Sequence, residues 1–177
     1  MRSLLAVAAL TSVTLLGSYA FAQTEDVAPA SPAAGAAIVY GTELERLGLQ
    51  LGAVFPADQI VPKLRFAADL ALYLPRSETG ASSQFFELDA NAHYVFFRQA
   101  LPQVFQAYGV AGLNFAIART TIDALDSSDT ATELGINVGV GAELGLGFGT
   151  AFVEFKYVLS DADQGVLGAG LRIPLGG

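Results

Sequence analysis

Residues 133–145 read ELGINVGVGAELG, and side chains of two kinds alternate at every position of this stretch. One face carries the apolar residues Leu134, Ile136, Val138, Val140, Ala142 and Leu144. The other face carries Glu133, Gly135, Asn137, Gly139, Gly141, Glu143 and Gly145. A period of two residues is typical of a β-strand, because successive side chains of a strand point to opposite faces. The stretch therefore predicts a strand with one apolar face and one polar or glycine-rich face.

The same alternation recurs along the chain from residue 45 onward. It covers residues 45–55, 62–74, 85–97, 105–119, 150–159 and 166–175. The pattern is weakest over 105–119, where Val110 shares a face with Asn114. Residues 99–118 contain no charge, but Pro102 and several Gln, Gly and Asn residues make a transmembrane helix a poor alternative there. Seven segments are thus predicted as strands.

The connections between these segments alternate in length. Residues 56–59, 99–103 and 147–149 are short, whereas 75–84, 122–131 and 160–165 are longer and polar. Short turns at one end and long loops at the other are typical of an up-and-down outer-membrane β-barrel. An antiparallel barrel with an even number of strands needs one more strand, and residues 36–41 are available for it. We therefore predict an all-β fold, an antiparallel transmembrane barrel of eight strands.

Alternation alone leaves open which face points outward, so a soluble lipocalin-like barrel with an apolar pocket is the alternative. The segments are 10 to 15 residues long, and a tilted transmembrane strand needs about 9–11. A soluble barrel would also expose Gly139, Gly141, Gly168 and Gly170 to water, although glycine weakens an exposed strand. These features favour a membrane barrel whose apolar face meets lipid.

The polar face then points into the lumen, and its charges are nearly balanced. Five cations and six carboxylates lie on it, together with the single histidine. Opposite charges in a narrow lumen can pair with one another, so we predict a lumen charge network. Its members are Arg46, Lys63, Arg65, Asp69, Glu87, Asp89, His93, Glu133, Glu143, Glu154, Lys156 and Arg172.

The N-terminal region differs in composition from the strands. Residues 1–22 combine Arg2, an apolar run and Ala20-Phe21-Ala22, which is the pattern of a cleaved signal peptide. A permanent membrane anchor is the alternative interpretation of this run. Residues 23–34 are rich in Ala and Pro and lack periodicity, which predicts a flexible linker. The predicted barrel domain spans residues 35–177.

The composition excludes several classes of function. The chain has no Cys and one His, so thiol catalysis, iron–sulfur clusters and multi-histidine metal sites are excluded. Its net charge of -8 argues against nucleic acid as a partner. A serine hydrolase would need a serine beside His93, but no clear strand has one on the polar face. We therefore predict no enzymatic activity, no catalytic residues, no cofactor and no metal site.

The chain resembles the small eight-stranded outer-membrane β-barrels, a group that includes the OmpA transmembrane domain, OmpX and the opacity proteins. The pattern of residues 36–175 carries the resemblance, for instance ELGINVGVGAELGLGFGTAFVEFKYVLSDADQGVLGAGLRIPL at 133–175. It implies export to the outer membrane of a Gram-negative cell and contact with outer-membrane lipid. It also implies insertion by the outer-membrane assembly machinery. The chain departs from the family in ending Leu175-Gly176-Gly177, where an aromatic residue is usual.

Two classes of function follow from this interpretation. The first is a non-enzymatic barrel with a filled lumen and a structural, envelope-integrity or surface-interaction role, whose surface partner the sequence leaves unknown. The second is a narrow pore or a barrel that binds a small solute. The two classes differ in whether side chains fill the lumen.

Overall fold

A computed structural model describes residues 31–78, 81–100, 103–122 and 127–176 of the chain. These residues form eight strands and no helix long and apolar enough to cross a membrane. The strands are β1 (Ala33–Gly41), β2 (Arg46–Pro56), β3 (Leu64–Glu78), β4 (Ala81–Gln99), β5 (Phe105–Ile122), β6 (Ser127–Gly145), β7 (Thr150–Leu159) and β8 (Gln164–Pro174).

Each strand pairs antiparallel with the next along the chain, and β1 pairs with β8 to close the ring. The β1–β8 ladder runs from Ala33 opposite Pro174 to Gly41 opposite Val166. Closure leaves no free edge along this ladder, which a sheet exposed to lipid requires. The prediction of an eight-stranded up-and-down barrel is confirmed, including the first strand that rested mainly on the need for closure.

The outer wall of the barrel is apolar. Leu47, Leu49 and Leu51 of β2 point outward, and their side chains are more than half exposed in the isolated chain. Polar side chains such as Gln50, Asp69 and Glu87 are buried inside. This is the reverse of a soluble barrel with an apolar pocket, so the lipocalin-like alternative is wrong.

The two ends of the barrel differ. At one end, which we call the turn end, the connections at 57–63, 100–104 and 146–149 are short. Exposed aromatic side chains surround this end, among them Phe55, Phe66, Phe96, Phe97, Phe105 and Phe148. A girdle of aromatic residues is typical of the position where a transmembrane barrel meets the membrane–water interface.

At the other end, which we call the mouth, strands β3 to β6 extend beyond their neighbours. They have 15, 19, 18 and 19 residues, whereas the other four strands have 9 to 11. Much of the predicted loops at 75–84 and 122–131 is therefore strand, because the β3–β4 and β5–β6 ladders continue past the end of the ring. The mouth thus carries a projecting four-stranded sheet.

The predicted N-terminal segments lie largely outside the described residues. The proposed signal peptide at 1–22 and residues 23–30 of the linker are among the residues not described. Ala33 and Ala34, the last two residues of the predicted linker, already belong to β1 and pair with β2 and β8. The first strand therefore begins earlier than the composition suggested, because alanine and glycine carry little periodic signal.

Candidate functional site: the lumen of the barrel

The part of the lumen near the turn end holds a cluster of two arginines and two glutamates. Glu143 of β6 pairs with two guanidinium groups, those of Arg65 on β3 and Arg172 on β8. The Arg65 Nη1–Glu143 Oε2 distance is 2.8 Å. Arg172 also lies 3.8 Å from Glu154, measured from Nη2 to Oε2. We call Arg65, Glu143, Glu154 and Arg172 the arginine cluster, and its formal charges balance.

Two aromatic rings fill the space beside this cluster. The Tyr108 hydroxyl donates a hydrogen bond of 2.8 Å to Glu154, and the ring lies under the guanidinium of Arg65 at 5.0 Å. His93 stacks on Tyr108 with 4.7 Å between the ring centroids. Both ring nitrogens of His93 are buried and have no hydrogen-bond partner. The main contact of His93 is therefore the stacking of its ring on Tyr108, and its Nε2 lies 3.7 Å from Glu154 Oε2.

The middle of the lumen holds a second cluster, built around Asp89 of β4. Asp89 forms an ion pair with Lys156 and accepts hydrogen bonds of 2.8 Å from the side-chain amides of Asn114 and Asn137. Asn137 also donates to the side-chain oxygen of Asn91. We call Asp89, Asn91, Asn114, Asn137 and Lys156 the lysine–asparagine cluster. Its members are buried, which such groups tolerate only when they are paired.

A partly apolar layer separates these clusters from the mouth. Val39, Ala71, Tyr73, Val158 and Val166 pack together there and are almost fully buried. Glu87 lies within this layer and accepts hydrogen bonds from the Tyr73 hydroxyl at 2.9 Å and the Gln164 amide at 2.7 Å. Buried side chains of the described residues therefore occupy three successive levels of the lumen between the mouth and the turn end.

Glycines on the inner wall make room for these side chains. Gly141 lies opposite Tyr108 in the β5–β6 ladder, and a Cβ at Gly141 would overlap the Tyr108 ring. A Cβ at Gly52 would likewise overlap the carboxylate of Asp69. Gly141 and Gly52 are therefore packing positions, each of which faces a larger side chain of a neighbouring strand.

The carboxylates in the described part of the lumen outnumber the cations. Asp69, Glu87, Asp89, Glu143 and Glu154 face Arg65, Lys156 and Arg172. Asp69 is buried and lines a cavity of about 10 Å³ together with Gln50 and Arg172. That volume is close to what one water molecule needs. No group of three or more His, Asp or Glu side chains in the described residues is arranged to hold a metal ion.

The structure places three predicted members of the charge network outside these clusters. Lys63 is exposed in the turn before β3, with a left-handed backbone (φ 68°). Glu133 lies at the mouth, where its carboxylate accepts a hydrogen bond from the backbone of Ala162. Arg46 begins β2 at the mouth and bonds to Ser83. The prediction that these three join a lumen network is corrected, because Lys63 lies in the turn before β3 and Glu133 and Arg46 lie at the mouth, outside both clusters.

The structure also brings in neutral residues that the prediction omitted. Tyr108, Asn114, Asn137, Gln50 and Gln164 are all buried inside the barrel. The sequence could have indicated that Tyr108 points inward, because Tyr108 and Asn114 are an even number of residues apart on β5 and therefore lie on the same face. It could not have indicated Gln164, which was predicted to lie in a loop.

Comparison with solved structures shows the fold. The chain is similar to the neisserial surface protein NspA, with a TM-score of 0.62 and 20% identity over 81% of this chain and 96% of that one. It is similar to Ail, the attachment invasion locus protein of Yersinia pestis, with a TM-score of 0.58 and 14% identity over 82% and 97%.

A third similar structure is the N-terminal β-barrel domain of Pseudomonas aeruginosa OprF, with a TM-score of 0.54 and 14% identity over 81% of this chain and 97% of that one. No model of a known protein family matches the chain, and no curated protein matches its sequence. The fold is therefore that of the small eight-stranded outer-membrane β-barrels.

Proposed function

We propose that the protein is a non-enzymatic integral outer-membrane barrel, closed by its own side chains, with a structural or surface-interaction role. The filled lumen carries this proposal. Glu143 joins arginines from two strands, Asp89 joins β4 to β5, β6 and β7, and an apolar layer lies above both. Such groups hold the wall together and leave the projecting sheet at the mouth as the part that meets other molecules.

Several features support an outer-membrane location. The wall is apolar where lipid would lie, the turn end carries an aromatic girdle, and residues 1–22 have the pattern of a signal peptide. The turn end then faces the periplasm and the mouth faces the outside of the cell. The lipid of the outer membrane is the surrounding partner, and the assembly machinery of that membrane inserts the chain.

Conductance across a planar bilayer tests this proposal. Protein extracted with detergent from the outer-membrane fraction, with a mature N-terminus at Gln23, is inserted at known copy number. We expect no steady current proportional to voltage, because the lumen of an eight-stranded barrel is just wide enough for side chains to fill. Recovery as a soluble periplasmic protein would contradict the membrane location, and a steady ohmic current would contradict the closed lumen.

The second candidate function is a narrow pore. It is favoured by the surplus of lumen carboxylates over cations and by the small cavity beside Asp69. Such a pore would prefer cations, since carboxylates would line its path. The same bilayer experiment distinguishes the two functions, because a pore predicts a current whose reversal potential in a salt gradient shows cation selectivity.

A further inference from the structure

Lys156 of β7 and Asp89 of β4 lie in contact inside the closed barrel. The Lys156 Nζ pairs with Asp89 Oδ2, and the exposed fractions of the two side chains are 4% and 0%. The two residues are 67 positions apart in the sequence. An amine paired with a carboxylate oxygen lies about 3–3.5 Å from the carboxyl carbon, which is the separation of reacting atoms in a near-attack arrangement. The pair is therefore close enough for an amide bond to form between the two side chains.

The second oxygen of Asp89 receives two hydrogen-bond donors. The side-chain amides of Asn114 on β5 and Asn137 on β6 each donate to Oδ1 at 2.8 Å. When an amine attacks a carboxyl carbon, negative charge develops on the oxygen that stays, and fixed N–H donors stabilise that charge. Oδ1 is therefore suited to be the oxygen that stays, and Oδ2, which lies against Lys156, is suited to leave.

Asp69 of β3 supplies a third group beside the pair. It is buried, it lies opposite Asp89 in the β3–β4 ladder, and it interacts electrostatically with both Asp89 and Lys156. Residues directly opposite each other have Cβ atoms about 4.5–5.5 Å apart, so a proton can pass between the two carboxyl groups. The cavity of about 10 Å³ that Asp69 lines has room for a single water molecule.

We propose that Lys156 and Asp89 condense into an isopeptide bond that cross-links β7 to β4 through the lumen. Nζ attacks Cγ of Asp89, the bond from Cγ to Oδ2 breaks, and Oδ2 leaves as water. Two of the three ammonium protons leave with this oxygen, carried by Asp69, and the third stays on the amide nitrogen. The lysine and aspartate charges disappear together, so the step needs no oxidant or reductant. A neutral amide also removes the cost of keeping two charges away from water.

This reaction occurs once in each chain and goes beyond the proposed function, because it locks the wall covalently. Mass spectrometry of the mature protein, extracted in detergent from outer membranes, tests it. We expect an intact mass about 18 Da below that of the unmodified chain, the loss of one water. A mass equal to that of the unmodified chain overturns the proposal.

A tryptic digest locates the bond. The chain has two lysines, Lys63 and Lys156, and trypsin does not cleave after a modified lysine. We therefore expect a branched peptide in which residues 77–98 are joined to residues 120–172. A loss of water without this branched peptide, as from a succinimide at an aspartate, also overturns the proposal.

Lys156→Arg and Lys63→Arg are the matched variants. Arginine keeps the positive charge in both, but a guanidinium does not form the amide. We expect the unmodified mass for Lys156→Arg and the loss of water for Lys63→Arg, since Lys63 is exposed in the turn before β3. Heat-modifiable mobility on a gel shows that each variant is folded, and the wild-type peptide decides alone if Lys156→Arg misfolds. A loss of water in folded Lys156→Arg would overturn the proposal.

A refolding time course tests the part played by the asparagine amides. The mature chain is dissolved in urea from inclusion bodies and refolded into detergent micelles. We expect the loss of water to appear only after refolding, and Asn114→Ala to slow it about 100-fold or more, as for the loss of an oxyanion-hole donor. Equal rates in this variant and the wild type would overturn the assignment of Asn114 as a donor to the developing charge.

The mass measurement is independent of the conductance test. An ohmic current from a barrel that carries the branched peptide refutes the closed lumen alone. A closed barrel with the unmodified mass refutes the isopeptide bond alone.

Discussion

The inner and outer surfaces of the barrel wall follow the same two-residue alternation, but they differ in how specific the contacts of their side chains are. On the inside, the charged side chains of the two clusters depend on particular partners, as Glu143 depends on Arg65 and Arg172. On the outside, side chains such as Leu49 and Val140 share only their apolar character and their exposure. The difference arises because lipid adapts to any apolar shape, whereas a buried polar group has lost its hydration and is stabilised by the partners that neighbouring strands supply.

The largest effect is expected inside, at Glu143. Glu143→Ala leaves the buried guanidinium of Arg172 and the partly buried one of Arg65 without their shared carboxylate. Removing one partner of a buried ion pair typically costs about 3–5 kcal/mol. We expect a loss of this size in the free energy of unfolding, measured by urea denaturation in lipid vesicles.

Asp161→Ala is the control for Glu143→Ala. Asp161 is an exposed carboxylate in the β7–β8 turn, and surface changes of this kind are usually within about 0.5 kcal/mol. If both substitutions shift the urea midpoint equally, Glu143 makes no specific contribution to stability. That result would contradict the statement that inner side chains depend on particular partners.

An intermediate effect is expected outside, at Val140. This residue lies near the middle of the β6–β7 ladder, opposite Phe155, and its side chain faces outward. Val140→Arg places a cation on the lipid face, which costs about 2–4 kcal/mol at the middle of the bilayer. Refolding yield and urea unfolding in vesicles measure the effect. Val140→Leu keeps the apolar character, so wild-type folding is expected for it; a defect equal to that of the arginine variant would show that shape also matters outside.

The smallest effect is expected from a comparison of neighbours on β6. Asn137→Ala removes the amide that donates to Asp89 and Asn91, and the loss of such buried hydrogen bonds costs about 1–3 kcal/mol. Ile136→Ala removes a larger apolar group from the outer face, where lipid fills the space. We expect the asparagine variant to be the less stable of the two in the same vesicle assay. The opposite order would contradict the difference between the inner and outer surfaces.

Most of the architecture was predictable from the sequence. The strand at 150–159 has the predicted bounds, and the strand at 133–145 has the predicted end. Strand ends near the mouth were missed because the ladders of β3 to β6 continue through Ser, Thr and charged residues, whose composition is typical of loops. Val110, the residue that weakened the alternation of the fifth strand, does point inward with Asn114.

The sequence by itself determined the strands, their two faces and the polar character of the lumen, because these depend on a period of two residues along each strand. Only the tertiary structure decided which inner residues meet. Glu143 of β6 reaches Arg65 of β3 because closure of the ring brings these two strands to face each other across the lumen, and Lys63 is excluded because it lies in the turn before β3. Contacts between distant strands depend on register and on the width of the closed ring, and neither quantity is present in the alternation of any single strand.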